Sequence, residues 1–130
     1  MYGGNGIIGT VDSYMFEDIK ISISCRGAAS GNLYLTKPKS SISSNSLYLD
    51  DVEQNNVLPL FYYLRRAGVK SFCTGSAQPQ ITIENIKTLK IPSSIFKISH
   101  NDDFIKLHFK NVEKIERLRQ VKQLLLHKYF

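Results

Sequence analysis

The stretch Thr74-Gly75-Ser76-Ala77-Gln78-Pro79-Gln80 says more about the fold than any other part of the chain. It separates an aromatic, basic segment from a short Ile-rich segment that ends in Ile91-Pro92. Its residues are small, polar and turn-forming, and they include two amide side chains but no charge. Each glutamine carries a donor and an acceptor, so the two amides could read hydrogen-bond patterns on a ligand. The same stretch could instead be a loop that only joins two elements.

The size and composition of the chain limit what it can be. Its 130 residues and 14.8 kDa suit one domain, or one small domain with an appendage. Hydrophobic residues make up 42% of the sequence, which is enough to build a core. No apolar run approaches the roughly 18 residues that span a membrane, and no secretory signal is evident. Cys25 and Cys73 match no metal or redox spacing, so we expect buried free thiols and a cytoplasmic location.

Positive charge is the main compositional bias. The net charge of +6 and the pI of about 9.4 favour a polyanionic partner. Residues 97–130 hold eight Lys/Arg against four Asp/Glu, so much of the excess lies in the tail. Two earlier windows contain no acidic residue, Ile19–Tyr48 and Leu60–Cys73. Their cations are Lys20, Arg26, Lys37 and Lys39 in the first window, and Arg65, Arg66 and Lys70 in the second.

Periodicity and turn residues predict alternating strands followed by helices. The predicted strands are Ile7–Val11, Ile19–Ser24, Asn32–Thr36 and Ser46–Leu49, the second of them half-buried. Asn55 or Asn56 is expected to cap a helix that runs through Arg66, with Pro59 in its first turn and Gly68 ending it. Thr82 is expected to cap a short helical turn over Ile83–Ile86.

The last segment has the pattern of one long helix. Ser99 and Asp102 suit a helix start, and the helical pattern continues to Phe130. At 1.5 Å per residue, about 28 residues would extend about 42 Å, more than a domain of this size can cover. Part of the apolar stripe is therefore expected to pack on another chain. The stripe consists of Phe104, Ile105, Val112, Ile115, Leu118, Leu125, Leu126 and Tyr129, interrupted by Lys122.

The sequence shows no catalytic machinery. His100, His108 and His127 have no partner at i+4, so they predict solvated helix residues and no metal site. An acidic cluster of Asp50, Asp51 and Glu53 precedes a helix, where carboxylates are favourable. A small nuclease built on this cluster is the enzymatic alternative, although the nearest lysines in sequence, Lys39 and Lys70, are distant. We expect no enzyme activity and no cofactor.

Four segments, taken together, resemble the target-recognition domain of the DNA specificity subunit of type I restriction-modification systems. The likeness covers roughly residues 2–92, and its most specific part is the stretch Thr74–Ile81. The four segments are Tyr2–Gly9; Ile23–Ala28 with Gly31-Asn32; the helix with Phe61-Tyr62-Tyr63-Leu64; and Thr74–Ile81 followed by Ile86, Leu89 and Ile91-Pro92.

The resemblance implies a fold and a role. Specificity subunits carry two recognition domains, each reading half of a split DNA sequence, separated by long helices that form an antiparallel coiled coil. These helices dock the methyltransferase subunits, and catalysis belongs to the modification and restriction subunits. We therefore expect an α/β (α+β) fold, with a small mixed twisted sheet and short helices in a partial recognition domain over 1–96. A C-terminal spacer or dimerisation helix over 97–130 follows and packs as a coiled coil.

The resemblance also implies candidate contacts. Because no strand precedes the Gly-rich opening and no second recognition domain follows, we expect a chain truncated relative to the family. The expected partners are double-stranded DNA and modification and restriction subunits, with a second copy of the chain as a further candidate through the C-terminal helix, and no membrane. Phosphate or base contacts are predicted for Arg26, Lys37, Lys39, Arg65, Arg66 and Lys70, while Gln78 and Gln80 either read bases or serve as scaffold. Helix pairing is predicted through Val112, Ile115, Leu118, Leu125 and Tyr129. The alternative is an interaction fragment that dimerises without binding DNA.

Overall fold

The computed structural model describes residues 1–75, 77–98 and 102–129. The chain divides into two compact units, Met1–Ser99 and His100–Phe130. Strands and short helices mix in the first unit, and the second contains one long helix. This confirms the predicted α/β (α+β) class with a long C-terminal helix, and the coiled-coil packing of that helix stays a prediction. None of the helices in the described ranges is long and apolar enough to cross a membrane.

A three-stranded antiparallel sheet forms the centre of the first unit. Its strands are β3 (Ile21–Ser24), β4 (Leu33–Leu35) and β5 (Ser46–Leu49), in the order β4-β3-β5. Ile21 pairs with Leu35 on one side and with Leu49 on the other. The alternation in β3 predicted a half-buried strand, but all four of its residues are buried. One reason is that the Ser24 hydroxyl donates to the Gly4 carbonyl at 2.8 Å, which allows a polar side chain to lie inside.

A short hairpin of β1 (Tyr2–Gly3) and β2 (Gly6–Ile7) opens the chain. Gly3 pairs with Gly6, and the positive φ of 106° at Gly6 suits the tight turn. The Tyr2 amide donates to the Ser41 carbonyl at 2.8 Å. This bond attaches the hairpin to the loop between β4 and β5. The strand predicted over Ile7–Val11 is wrong beyond Ile7, because the described chain supplies no further partner strand for it.

Helix α1 (Gln54–Ala67) packs its apolar face inward. The prediction that Asn55 or Asn56 caps it is wrong, because the helix begins at Gln54 after Glu53. The Gln54 amide explains the early start: it donates to the Ile19 carbonyl and accepts from the Ile19 amide, both at 3.1 Å. Pro59 consequently lies in the helix interior and not in its first turn. The buried residues of α1 are Asn56, Val57, Leu58, Leu60, Phe61 and Leu64.

The predicted end of α1 at Gly68 and the predicted helix cap at Thr82 are both confirmed. Gly68 ends α1 with a φ of 82°, and its amide donates to the Leu64 carbonyl at 3.0 Å. After a 3-10 turn at Val69–Phe72, Thr82 caps α2 (Ile83–Ile86) by accepting from the Asn85 amide at 3.2 Å. A last 3-10 turn, Ser93–Lys97, packs against α1.

The second unit is helix α3 (Asp102–Tyr129). A start at Asp102 is confirmed, whereas Ser99 lies outside the described residues. From Lys110 to Tyr129 every residue is exposed. The prediction that His108 is solvated is wrong: it is only 8% exposed, and its ring centroid lies 5.3 Å from that of Phe109. His127 is exposed as predicted, and His100 lies outside the described residues.

Candidate functional site

The stretch from Thr74 to Gln80 closes on itself as a narrow turn. The Thr74 amide donates to the Gln80 carbonyl at 2.8 Å, and the Gln80 amide donates to the Thr74 carbonyl at 2.9 Å. Gly75 has a φ of 89°, and a Cβ at this position would lie 2.7 Å from the Gln78 carbonyl oxygen. Only glycine fits there, so the turn geometry follows directly from the sequence. Ser76, within the turn, lies outside the described residues.

The same turn is bonded to the loop that leaves β3. The Gly27 amide donates to the Pro79 carbonyl at 2.9 Å, and the Ile81 amide donates to the Cys25 carbonyl at 2.8 Å. The Ser30 hydroxyl adds a second hydrogen bond to the Pro79 carbonyl at 2.9 Å. Cys25, Ser30 and Ile81 are buried. The backbone of the turn is therefore part of the fold.

These bonds place Gln80 between two cross-strand neighbours. The hydrogen bonds from Gly27 and Ile81 flank Arg26 and Gln80 without joining them, so these two form a non-hydrogen-bonded antiparallel pair. In such pairs the Cα atoms are about 4.5 Å apart and the side chains share one face of the ladder. Thr74 is the hydrogen-bonded partner of Gln80 on its other side. We call Thr74, Gln80 and Arg26 the cross-strand triplet; all three residues are exposed.

Lys70 is held close to the same loop. A Cβ on Gly31, whose φ is 90°, would lie 3.0 Å from the Lys70 Cα and 3.1 Å from the Lys70 amide nitrogen. The absence of a side chain at Gly31 therefore permits the turn at Val69–Phe72 to approach. Arg65 and Arg66 lie in the last turn of α1, just before this turn, and both are exposed.

Four predicted cations lie on the loop that leaves β3 and on the segment from the last turn of α1 to Lys70, and we call them the basic end: Arg26, Arg65, Arg66 and Lys70. They come from three elements, and the segments that carry them, residues 19–49 and 54–83, contain no Asp or Glu. Within the part of the chain that the structure describes, none of the four forms a salt bridge. An uncompensated cluster of this kind favours anion binding.

Lys37 and Lys39 lie elsewhere, at the opposite end of β4 from Gly31. Lys37 is six positions after Gly31, which corresponds to about 20 Å of extended chain. The Lys37 amide donates to the Tyr2 hydroxyl at 3.0 Å, and the Lys39 amide donates to the Glu17 carbonyl at 3.1 Å. Burial raises the pKa of the Tyr2 hydroxyl, which keeps it neutral. These two lysines therefore lie in a separate basic turn, and hydrogen bonds from their backbone amides hold it in place.

One residue of the acidic cluster, Asp50, forms an ion pair that the sequence did not predict. The Lys20 ammonium lies 2.8 Å from an Asp50 carboxylate oxygen, and its side chain is only 14% exposed. The hydrogen bond from Lys20 lowers the pKa of Asp50, and the same bond raises the pKa of Lys20. In the described ranges no group of three or more His, Cys, Asp or Glu residues is placed to hold a metal ion. The contact between Lys20 and Asp50 joins the ends of β3 and β5.

The predicted pairing residues of α3 are all open to solvent. Val112, Ile115, Leu118, Leu125 and Tyr129 are between 48% and 66% exposed. Val121, which the sequence stripe omitted, is 51% exposed. It lies three residues after Leu118 and four before Leu125, so helical spacing alone could have identified it.

A mixed α and β unit with four exposed cations on segments that contain no acidic residue has features of a nucleic-acid-binding module. The family model of the type I restriction modification DNA specificity domain matches residues 2–98, about three quarters of the 130-residue chain. The chain therefore belongs to this family, and the resemblance found in the sequence is confirmed. A search of curated proteins finds no match to the chain. The individual contact residues remain predictions.

Proposed function

We propose that this chain is a DNA-recognition module that binds duplex DNA sequence-specifically and makes or breaks no covalent bond itself. Its role is to position the methyltransferase and restriction subunits of a type I system on their target. The observation that carries the proposal is the basic end, whose four exposed cations lie on segments that contain no acidic residue.

The chemistry of the basic end matches a phosphate backbone. Arginine guanidinium groups bind phosphate oxygens through two parallel N–H donors, and lysine adds a point charge. Such contacts fix the register of a protein on the duplex without reading its sequence. Lys37 and Lys39, about 20 Å along β4, would contact the backbone at a second place. The exposed cross-strand triplet, which includes Arg26, is then available to contact base edges.

Helix α3 supplies the assembly surface in this proposal. Its apolar residues recur over almost five turns from Val112 to Tyr129 and are exposed throughout. A helix of this kind is stabilised when a second helix covers the stripe. We propose that a second copy of the chain, pairing through α3, completes a two-domain recognition unit, and that the paired helices hold the partner subunits.

Salt-dependent DNA binding by the full 130-residue chain tests the proposal. Each phosphate contact contributes about −0.9 to the slope of log K against log salt concentration. The double variant Arg65→Gln/Arg66→Gln should weaken binding to all duplexes alike and make the slope less negative by about 1.8. The matched control Lys110→Gln/Lys114→Gln removes the same charge from α3 and should leave the slope nearly unchanged. Equal slopes for the wild type and the Arg65/Arg66 variant would contradict the proposal.

The competing function is an interaction fragment that dimerises through α3 and does not bind DNA. The exposed stripe of α3 favours it as much as it favours assembly on DNA. Light scattering together with the salt titration separates the two. A dimer with no salt-sensitive binding to any duplex supports the fragment, whereas a dimer with a steep salt dependence supports the recognition module.

A further inference from the structure

We infer that Gln80 determines specificity at one base pair, with its side-chain amide reading a base edge in the major groove beside Arg26. This inference rests on the proposed DNA binding. It assigns two functions to one turn: the backbone of Thr74–Gln80 holds the fold together, while the Gln80 side chain remains available to a ligand.

Internal hydrogen bonds occupy four other small polar side chains near the turn. Among the described residues at this end of the sheet, four such side chains bond to backbone carbonyls, whereas the Gln80 amide makes no hydrogen bond within the described chain. The four bonds run from Ser30 to Pro79 at 2.9 Å, from Ser71 to Gly68 at 3.0 Å, from Thr74 to Gln80 at 3.5 Å, and from Asn32 to Gly4 at 3.5 Å.

The position of Gln80 is fixed in advance of binding. Its amide and carbonyl both bond to Thr74, and the residues on either side, Pro79 and Ile81, bond to the β3 loop. Ordering the Gln80 side chain on binding then costs about 0.5–1.5 kcal/mol, with no added cost for ordering its backbone. Gln78 is also exposed, but it has no cross-strand partner in the described chain. Its Cβ is therefore less rigidly positioned than that of Gln80.

The chemistry of the neighbouring groups favours adenine. The side-chain amide of glutamine can donate to N7 of adenine and accept from its N6 amino group. These two hydrogen bonds together identify adenine. Arg26 is the antiparallel bridge partner of Gln80, so the two side chains leave the ladder on the same face, and an arginine there can bind an adjacent phosphate. The phosphate contact of Arg26 fixes the register of the protein on the duplex, and the contact of Gln80 identifies the base.

Selection from a pool of duplexes with a randomised core tests the inference on the full chain. Sequencing the bound fraction should show adenine preferred at one position of each half-site. Gln80→Ala should lose the preference at that position alone, with affinity for the best site falling roughly tenfold to 100-fold and affinity for random DNA unchanged. Gln80→Glu should move the preference toward cytosine, because a carboxylate accepts from its N4 amino group. The matched control Gln78→Ala should select the wild-type sequences.

The possible failures are distinguishable. If the wild type binds DNA with a steep salt dependence but selects no sequence, DNA binding stands and the Gln80 inference is overturned. The same holds if Gln80→Ala keeps every base preference, or if only Gln78→Ala loses one. If the wild type binds no duplex, the proposed function fails as well. Gln80→Met preserves side-chain length and all backbone bonds, so it replaces Gln80→Ala should that variant not fold.

Discussion

Arg26 and Gln80 face each other as a non-hydrogen-bonded antiparallel pair, although they are 54 positions apart in the chain. The pair joins the loop that leaves the central strand to the turn that follows α1. Because both residues are exposed on one face, a cation and an amide lie side by side there. This arrangement links the fold of the first unit to its proposed function.

The close approach of Gly31 to Lys70 predicts a large cost for a side chain at Gly31. Gly31→Ala should destabilise the first unit by about 2–4 kcal/mol, because the methyl group would meet the Lys70 backbone and the positive φ adds strain. Urea denaturation measures the change. Gly27→Ala is the control: its φ of 75° is also positive, but no atom lies within 4 Å of the added Cβ, so it should cost about 1–2 kcal/mol. Equal costs would show that the approach is not tight.

The ion pair between Lys20 and Asp50 predicts a pH effect with a definite sign. The pKa of Asp50 is lowered in the fold, so its contribution to stability is present above the ordinary carboxyl pKa and is lost as the pH falls through the lowered value. In Lys20→Met, the pKa of Asp50 should rise toward its ordinary value, as measured by NMR titration. Lys39→Met, which removes a lysine not paired with Asp50, should leave that pKa in place. An unchanged Asp50 pKa in Lys20→Met would refute the pairing.

Much of the fold could be predicted from local chemistry. Ser46–Leu49, the Thr82 cap, the end of α1 at Gly68 and the long α3 all depend on residues close to one another in sequence. The start of α1 could not be predicted, because the Gln54 amide bonds to Ile19, 35 residues earlier. The pairing of Arg26 with Gln80 could not be predicted either, because these two residues are also far apart in sequence. Sequence reasoning found both residues as separate candidates but had no signal that places them together.

The exposed stripe of α3 predicts that one charge can prevent pairing. Leu118→Asp should convert a dimer of the chain to a monomer in light scattering, because a carboxylate in the stripe would be buried without a partner. It should also abolish co-purification with a modification subunit. Gln120→Asp introduces the same residue about 200° around the helix and should remain dimeric. If both variants behave like the wild type, the stripe does not mediate the pairing.

The most direct test of DNA recognition by the basic end is the salt dependence of binding by a variant in which all four cations are removed. Arg26→Gln/Arg65→Gln/Arg66→Gln/Lys70→Gln replaces exposed side chains, so circular dichroism should show an unchanged fold. The slope of log K against log salt concentration should become less negative by about 3.6 relative to the wild type, with binding to every duplex strongly weakened. A folded variant that retains the wild-type slope and affinity would contradict DNA binding through the basic end.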